Sequence, residues 1–276
     1  MKQLIFLSLF IIVGISYGQG NCNAYLWQKD TLKYEACKLL VDNQDKYYQF
    51  DSRFHKLMKE ALEICPYYAY PYRELAAPYV KSGNFLMWKK YIDKAVKYNP
   101  KEYLSVRASL RYKFFADYKG AIKDIDSLSS IVSHDIGYSS NGTYHLNVVK
   151  GLCLKSLGRT DEAIEIIAKQ SEIEDDFGMY NYLHLGVLYM AKEDYQNALA
   201  SFKKQSVINN LAENQYYTAL CYKSLNEQAK ADSHLKLALN LYQSGQSMFD
   251  PYNELFDQIY LSDIKREMAS IEQSFK

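Results

Sequence analysis

A pattern that returns at nearly constant spacing constrains this chain more than any other feature. The stretch HLGVLYMAKEDYQNALASF, from His184 to Phe202, places a small residue, a tyrosine, a polar break, then alanine and phenylalanine. GLCLKSLGRTDEAIEII (Gly151 to Ile167) and ALCYKSLNEQAKADSHLKLAL (Ala219 to Leu239) repeat the arrangement. So do SLRYKFFADYKGAIKDI (Ser109 to Ile125) and AAPYVKSGNFLMWKKYIDKAVKYNP (Ala76 to Pro100). Anchored on the residue that opens the second half, the copies fall at Trp88, Ala121, Ala163, Ala198 and Ala231, at intervals of 33, 42, 35 and 33 residues. Apolar residues within each half recur at helical spacing, and the break is a glycine or polar turn such as Ser82-Gly83-Asn84 or Lys192-Glu193-Asp194. Each copy therefore predicts two helices. Ala76, Gly151, Gly186 and Ala219 stand where the second helix crosses the first, and the small residues let the backbones approach. Tyr79, Tyr112, Tyr189 and Tyr222 fill the layer three residues later, and Pro66 and Pro100 each close a unit. Such a hairpin leaves an apolar flank that only a neighbouring hairpin covers, so the copies must stack.

A period near 34 residues made of two helices resembles the tetratricopeptide repeat. The resemblance covers residues 31 to 245 and is strongest from Tyr144 to Leu241. It implies an all-α fold, a right-handed α-solenoid of about six helix–turn–helix repeats with a C-terminal cap. Residues 19–68 form an N-terminal segment and a degenerate repeat, with helices near Thr31–Asp45 and Ser52–Ile64. Repeats occupy 69–246, and 247–276 reads as a capping helix. There Pro251 signals a helix start, and Leu255, Ile259, Leu261, Ile264, Met268 and Ile271 recur at helical spacing. Departures from the repeat predict irregularities. Trp88 replaces a small residue and Pro78 lies inside a helix, so the first full unit is expected to be splayed or kinked. Excess length predicts loops at Val132 to Thr143 and Ser171 to Gly178.

Residues 1–18 read as a cleaved signal peptide: a basic start, the apolar run Leu4 to Val13, and small residues at Ser16 and Gly18. The run is too short for a span that needs ~20 residues, so the mature chain is expected to begin near Gln19, periplasmic or secreted and not inserted in the membrane. Cys22 follows the signal, but Gln19-Gly20-Asn21 does not resemble the box of lipidated proteins. The mature chain keeps five cysteines, an odd number for an oxidising compartment. Cys153 and Cys221 sit in apolar helical patterns, and one disulfide is expected among Cys22, Cys37 and Cys65, with the pairing open. Removing Lys2 with the signal leaves 32 basic and 32 acidic residues, dispersed along the chain. That balance supplies no electrostatic drive toward nucleic acid.

Catalytic constellations are wanting. Ser133-His134-Asp135 has the composition of a triad, but neighbours in one loop cannot adopt its geometry. The five histidines show no metal-binding spacing, and Asp124 and Asp126 point to different sides of a helix. Glu172-Ile173-Glu174-Asp175-Asp176 lacks the alternating ligands and glycine of a calcium loop. There is no glycine-rich phosphate loop, and Asn141-Gly142-Thr143 accepts a glycan only in a suitable secretory pathway. No cofactor and no metal is implied, and the chain reads as a non-enzyme.

The resemblance implies a groove, because first helices line the concave surface of such a superhelix. Matched positions put Tyr70, Tyr103, His145 and Tyr180 at inward places near helix starts, with Arg73 and Tyr216 one turn later in the first and last copies. Lys81, Lys113, Lys155 and Lys223 come near the ends of the same helices, with Phe114 beside one of them. An aromatic row facing a lysine row suits an extended peptide carrying acidic groups. The same lysines also complement helix dipoles, and in a chain with 27 tyrosines aromatic coincidences are frequent. Ala77 and Leu110 stand where a carboxylate clamp needs asparagine, so no clamp is expected. The expected function is a protein–protein interaction scaffold of the cell envelope that holds a protein or peptide in this groove. A glycan- or small-ligand-binding protein is the alternative.

Overall fold

The computed structural model describes residues 21–140, 142–174 and 178–274. The signal segment 1–18, Asn141 of the glycan motif and the Asp175-Asp176 part of the acidic turn lie outside the described residues. Among the described residues the regular structure is helical, apart from one isolated bridge between Tyr138 and His145. A short α1 (Asn23–Trp27) precedes α2 (Thr31–Val41) and α3 (Ser52–Ile64). Then follow the pairs α4 (Ala69–Lys81) and α5 (Phe85–Tyr98), α6 (Pro100–Phe115) and α7 (Tyr118–Ile131), and α8 (Leu146–Ser156) and α9 (Thr160–Glu174). The last pairs are α10 (Asn181–Ala191) with α11 (Tyr195–Ile208) and α12 (Ala212–Ser224) with α13 (Gln228–Gln243), before α14 (Leu261–Ser274).

Backbone conformation keeps the period as faithfully as the side chains do. The turn between paired helices puts a residue at positive φ at Gly83, Ala116, Gly158, Glu193 and Asn226. These sit five positions before the anchors at Trp88, Ala121, Ala163, Ala198 and Ala231, so the same intervals recur. Glycine removes the steric cost at only two of the five, and the others spend ~1–2 kcal/mol on the left-handed conformation. The next residue caps the second helix: Asn84, Asp117 and Asp194 accept the amides of Met87, Gly120 and Asn197 at 3.0–3.2 Å. Pro100 opens α6 at the position where its missing N–H costs nothing.

Interlocking of small residues follows the expected register. Ala121, Ala163, Ala198 and Ala231 are fully buried. A Cβ added at Gly186 would stand 2.3 Å from Phe202 Cε1 of α11, and one at Gly151 would stand 2.4 Å from Ile167 Cγ1 of α9. First helices of successive hairpins touch one another, as α6 does α8 and α10 does α12, while second helices pack against the first helices on either side. The stack therefore curves toward its first helices.

Three expectations are corrected. The first full unit is not splayed: α4 runs unbroken through Pro78 and packs closely on α5. Trp88 is fully buried because its ring reaches Phe115 of the next hairpin, with centroids 4.7 Å apart, instead of pushing α4 away. Ser171 to Glu174 continues α9 as helix and is not loop. The capping helix begins at Leu261, ten residues beyond Pro251; α14 covers α13, with Ile264 and Ile271 buried against Leu235 and Ala238. Leu255 and Ile259 are buried too, but in the non-helical segment that precedes α14. At the N-terminus Cys22 and Cys37 form the disulfide, which leaves Cys65 buried and unbridged.

Candidate functional site

The segment from Gln246 to Tyr260 leaves the end of α13 and travels back through the inner side of the superhelix. Its first amide contact is local: Gln246 O accepts the Ala212 amide at the start of α12 (2.9 Å). Met248 N–H then donates to Glu213 Oε2 at 3.0 Å. Burial pushes the Glu213 carboxyl up, against the pull of the Met248 and Ile259 amides at the two ends of the excursion. Met248 and Leu255 pack among Leu183, Phe202 and Cys221. Farther out the chain reaches α6, where Phe256 stacks on Tyr112 with centroids 5.8 Å apart.

Charges fix this strap. Asp250 Oδ2 accepts from Lys113 Nζ at 2.5 Å. Asp257 pairs with Lys155 through Oδ1, and its Oδ2 accepts from His184 Nδ1–H at 2.7 Å. His184 Nε2 then faces the Tyr144 hydroxyl at 3.0 Å, which makes it the acceptor of a neutral imidazole. Burial holds the His184 pKa below its ordinary value of 6.5. For Asp257 burial acts upward, but the His184 hydrogen bond and the Lys155 charge prevail and keep the carboxyl below the usual range. Asp257 adopts φ +61°, a conformation that costs a non-glycine residue energy and persists because Lys155 and His184 hold its carboxylate. Beyond the strap, Lys223 of α12 donates to Glu267 of α14 at 2.7 Å.

Three of the four lysines expected in the groove thus take carboxylates from the chain's own C-terminal region. Lys81 instead donates to Gln49 Oε1 at 3.1 Å and lies over the Phe50 ring. The groove stays open over α4 and α6, where a cavity of about 750 Å³ is lined by Arg73, Lys81, Leu110, Lys113 and Phe114 and bounded by Tyr252 of the strap. Ala77 is also on its wall, so the cavity's floor is apolar and its edges are cationic.

The tyrosines and His145 are placed differently from the expectation. Tyr103 is 4% exposed, in the central core, and desolvation drives its phenol well above 10. His145 is buried as the N-cap of α8, accepting the Asn147 amide at Nδ1 and donating from Nε2 to Asp135. Tyr216 is buried among the residues that α14 covers. These three are corrected from groove-facing to packed side chains. Tyr103 packs into the core shared with the preceding hairpin and Tyr216 against the residues that the cap covers, so neither faces the open channel. Tyr70 is half-buried, donates to Gln44 Oε1 at 3.0 Å, and has its phenol pushed up to about 12 by burial. Tyr180 is half-buried between Tyr144 and the strap's apolar residues. Arg73, which lines the cavity, pairs with Glu74. Asp250, Phe256 and Asp257 join the site although a single helix over 247–276 assigns them no place in it; two acids seven residues apart beside Pro251 are the signal the sequence carries for them.

Asp124 and Asp126 diverge as expected: Asp124 is buried under Arg107 and Arg111, and Asp126 pairs with Lys150. Among the described residues no group of three or more His, Cys, Asp or Glu is placed to hold a metal, and no helix is long and apolar enough to cross a membrane.

A family model described as tetratricopeptide repeat matches residues 144–177 and 180–205. Solved structures share the fold at low identity. PilF of Pseudomonas aeruginosa superposes with a TM-score of 0.58 at 14% identity, over 90% of this chain and 94% of that one. PilW, described as a widely conserved type IV pilus biogenesis factor, gives 0.54 at 14% identity, over 80% and 90%. YrrB, described as a TPR protein with an unusual peptide-binding site, gives 0.53 at 16% identity, over 67% and 92%. No curated protein sequence matches the chain significantly.

Proposed function

From the premise that the chain is a tetratricopeptide-repeat protein, we infer that it is a non-catalytic interaction scaffold holding a protein or peptide segment in the open half of its groove. One observation carries this reading. The channel lined by first helices already accommodates a non-helical stretch of polypeptide over α8 to α12, and it continues past Lys113 as a cavity of about 750 Å³. A site with an apolar floor, an exposed Phe114 and cationic edges suits a peptide better than a small polar metabolite. The signal-like N-terminus and the Cys22–Cys37 disulfide support an oxidising envelope compartment, periplasmic or secreted. A glycan ligand is the second reading, favoured by the aromatic rims Phe114 and Tyr252.

The experiment places a photo-crosslinking residue at Leu110, inside the cavity, and at Leu237, exposed on α13. In the native host, protein adducts are expected at 110 and not at 237. Equal adducts at both positions, or none at 110, overturn the reading. Oligosaccharide binding that salt leaves unchanged selects the glycan instead.

A further inference from the structure

The strap shows which chemistry the groove accepts. Its carboxylates meet the Lys113 and Lys155 ammonium groups, and between them Phe256 lies flat on Tyr112. The two parts of the strap are held unequally. Met248, Leu255 and Ile259 are buried, and Asp257 is locked by Lys155 and His184. Residues Phe249 to Glu254 between these fixed points form a tongue whose Phe249 and Tyr252 are each 74% exposed. That tongue reaches α6 through Lys113, which pairs with Asp250 and lies 6.0 Å from the Tyr252 ring centroid. Lys113 and Tyr252 are at the same time walls of the open cavity.

Resting on the groove reading above, we propose that the partner is an extended acidic segment bearing an aromatic residue, and that the tongue Phe249–Glu254 is its intramolecular competitor. The partner's carboxylate takes Lys113 from Asp250, an exchange of like for like that keeps the Lys113 ammonium paired and releases the Asp250 carboxylate to water. The tongue then swings out about Met248 and Leu255, whose burial keeps the inner strap in place and the superhelix intact. Displacement lengthens the open channel toward α8. Occupancy by the tongue lowers the apparent affinity by the fraction of molecules in which it is closed.

The test uses the full-length chain and a synthetic peptide with the sequence of residues 246–260, QSMFDPYNELFDQIY. Asp250→Asn weakens the hold on Lys113 while keeping an acceptor for the Tyr252 amide, which Asp250 Oδ1 now takes at 2.9 Å. The peptide is expected to bind this variant at least fivefold more tightly than the unaltered chain, and Lys113→Gln is expected to weaken both. In the unaltered chain carrying a fluorotyrosine at position 252, bound peptide should narrow the fluorine resonance, because displacement releases that ring from Lys113 and the cavity wall. Equal affinities, a broadened or unchanged resonance at 252, or no binding to either chain each overturn the proposal. Adducts at position 110 with a native partner, obtained alongside such a failure, leave the groove reading standing. Their absence removes both.

Discussion

Lys113 Nζ and Asp250 Oδ2 meet at 2.5 Å although 137 residues separate them in the chain. In a solenoid each repeat ordinarily touches only its neighbours, and stability is a sum over adjacent interfaces. A contact to α6 from the strap that follows the last helical pair breaks that locality. It couples hairpins that the stacking alone leaves independent, through a segment that is neither repeat nor cap.

Asp257 is the residue on which that coupling depends most. Asp257→Ala leaves the Lys155 charge and the His184 N–H inside the superhelix without their acceptor. Removing one partner of a buried pair costs about 3–5 kcal/mol. Chemical denaturation should show that loss, together with a less cooperative transition as the repeats uncouple. A variant as stable as the unaltered chain would mean that water replaces the carboxylate.

The same site sets a pH dependence. His184 is neutral when folded, its pKa held below 6.5 by burial. As pH falls through 6.5 the unfolded chain takes up a proton that the folded chain does not, so stability declines. Asp257, with its carboxyl depressed, adds a loss of the same sign below 3.8. His234, also lowered by burial, acts in the same direction, whereas the raised Glu213 carboxyl opposes both by favouring the folded state as pH falls. Thermal melts should therefore show Tm falling between pH 7 and pH 5.5, less steeply in His184→Gln. Equal slopes would place the proton uptake elsewhere.

The repeat period and its register were legible because each signal is local: a small residue, a turn and a cap recur within one hairpin. Gly186 against Phe202 and the left-handed turn at Glu193 are both consequences of that spacing. The strap was not legible. Asp250 and Asp257 find Lys113 and Lys155 only once five hairpins have curved, and no sequence interval encodes the distance. Tyr103 and His145 were misplaced for a related reason, since a residue's face depends on the rotation between hairpins as well as on its position in the helix.

Close approach of α10 and α11 makes Gly186 intolerant of a methyl group. Gly186→Ala sets a Cβ 2.3 Å from the Phe202 ring, and overpacking of this kind costs about 1–3 kcal/mol. Phe202→Leu in the same chain should return part of the loss, which double-mutant melts will read as a coupling. Ala198→Leu, at a fully buried site on the facing helix, should destabilise by a similar amount. Additive effects of Gly186→Ala and Phe202→Leu would contradict the contact.

The Cys22–Cys37 disulfide closes a loop with a sequence separation of 15 and ties the start of α1 to α2. A cross-link of that span is worth about 3 kcal/mol in the chain-entropy account. Cys37→Ser should lower the stability of the N-terminal hairpin by about that amount. Limited proteolysis should then cut before α4 while the later repeats resist. Thiol titration of the unfolded, oxidised chain should find Cys65, Cys153 and Cys221 free.

Tyr103 and Phe114 separate packing from recognition on one helix. Both belong to α6, but Tyr103 is 4% exposed in the core whereas Phe114 is 36% exposed and lines the open cavity. Tyr103→Ala removes a buried ring and should cost about 3–5 kcal/mol. Phe114→Ala should change stability by only about 0.5 kcal/mol, as surface substitutions usually do. Its effect should fall on binding, where loss of an aromatic contact at an interface commonly costs ~1 kcal/mol or more. Denaturant melts and titration with an acidic, aromatic peptide measure the two quantities on the same protein. A destabilised Phe114→Ala beside an unaffected Tyr103→Ala would place the groove on the other face of α6.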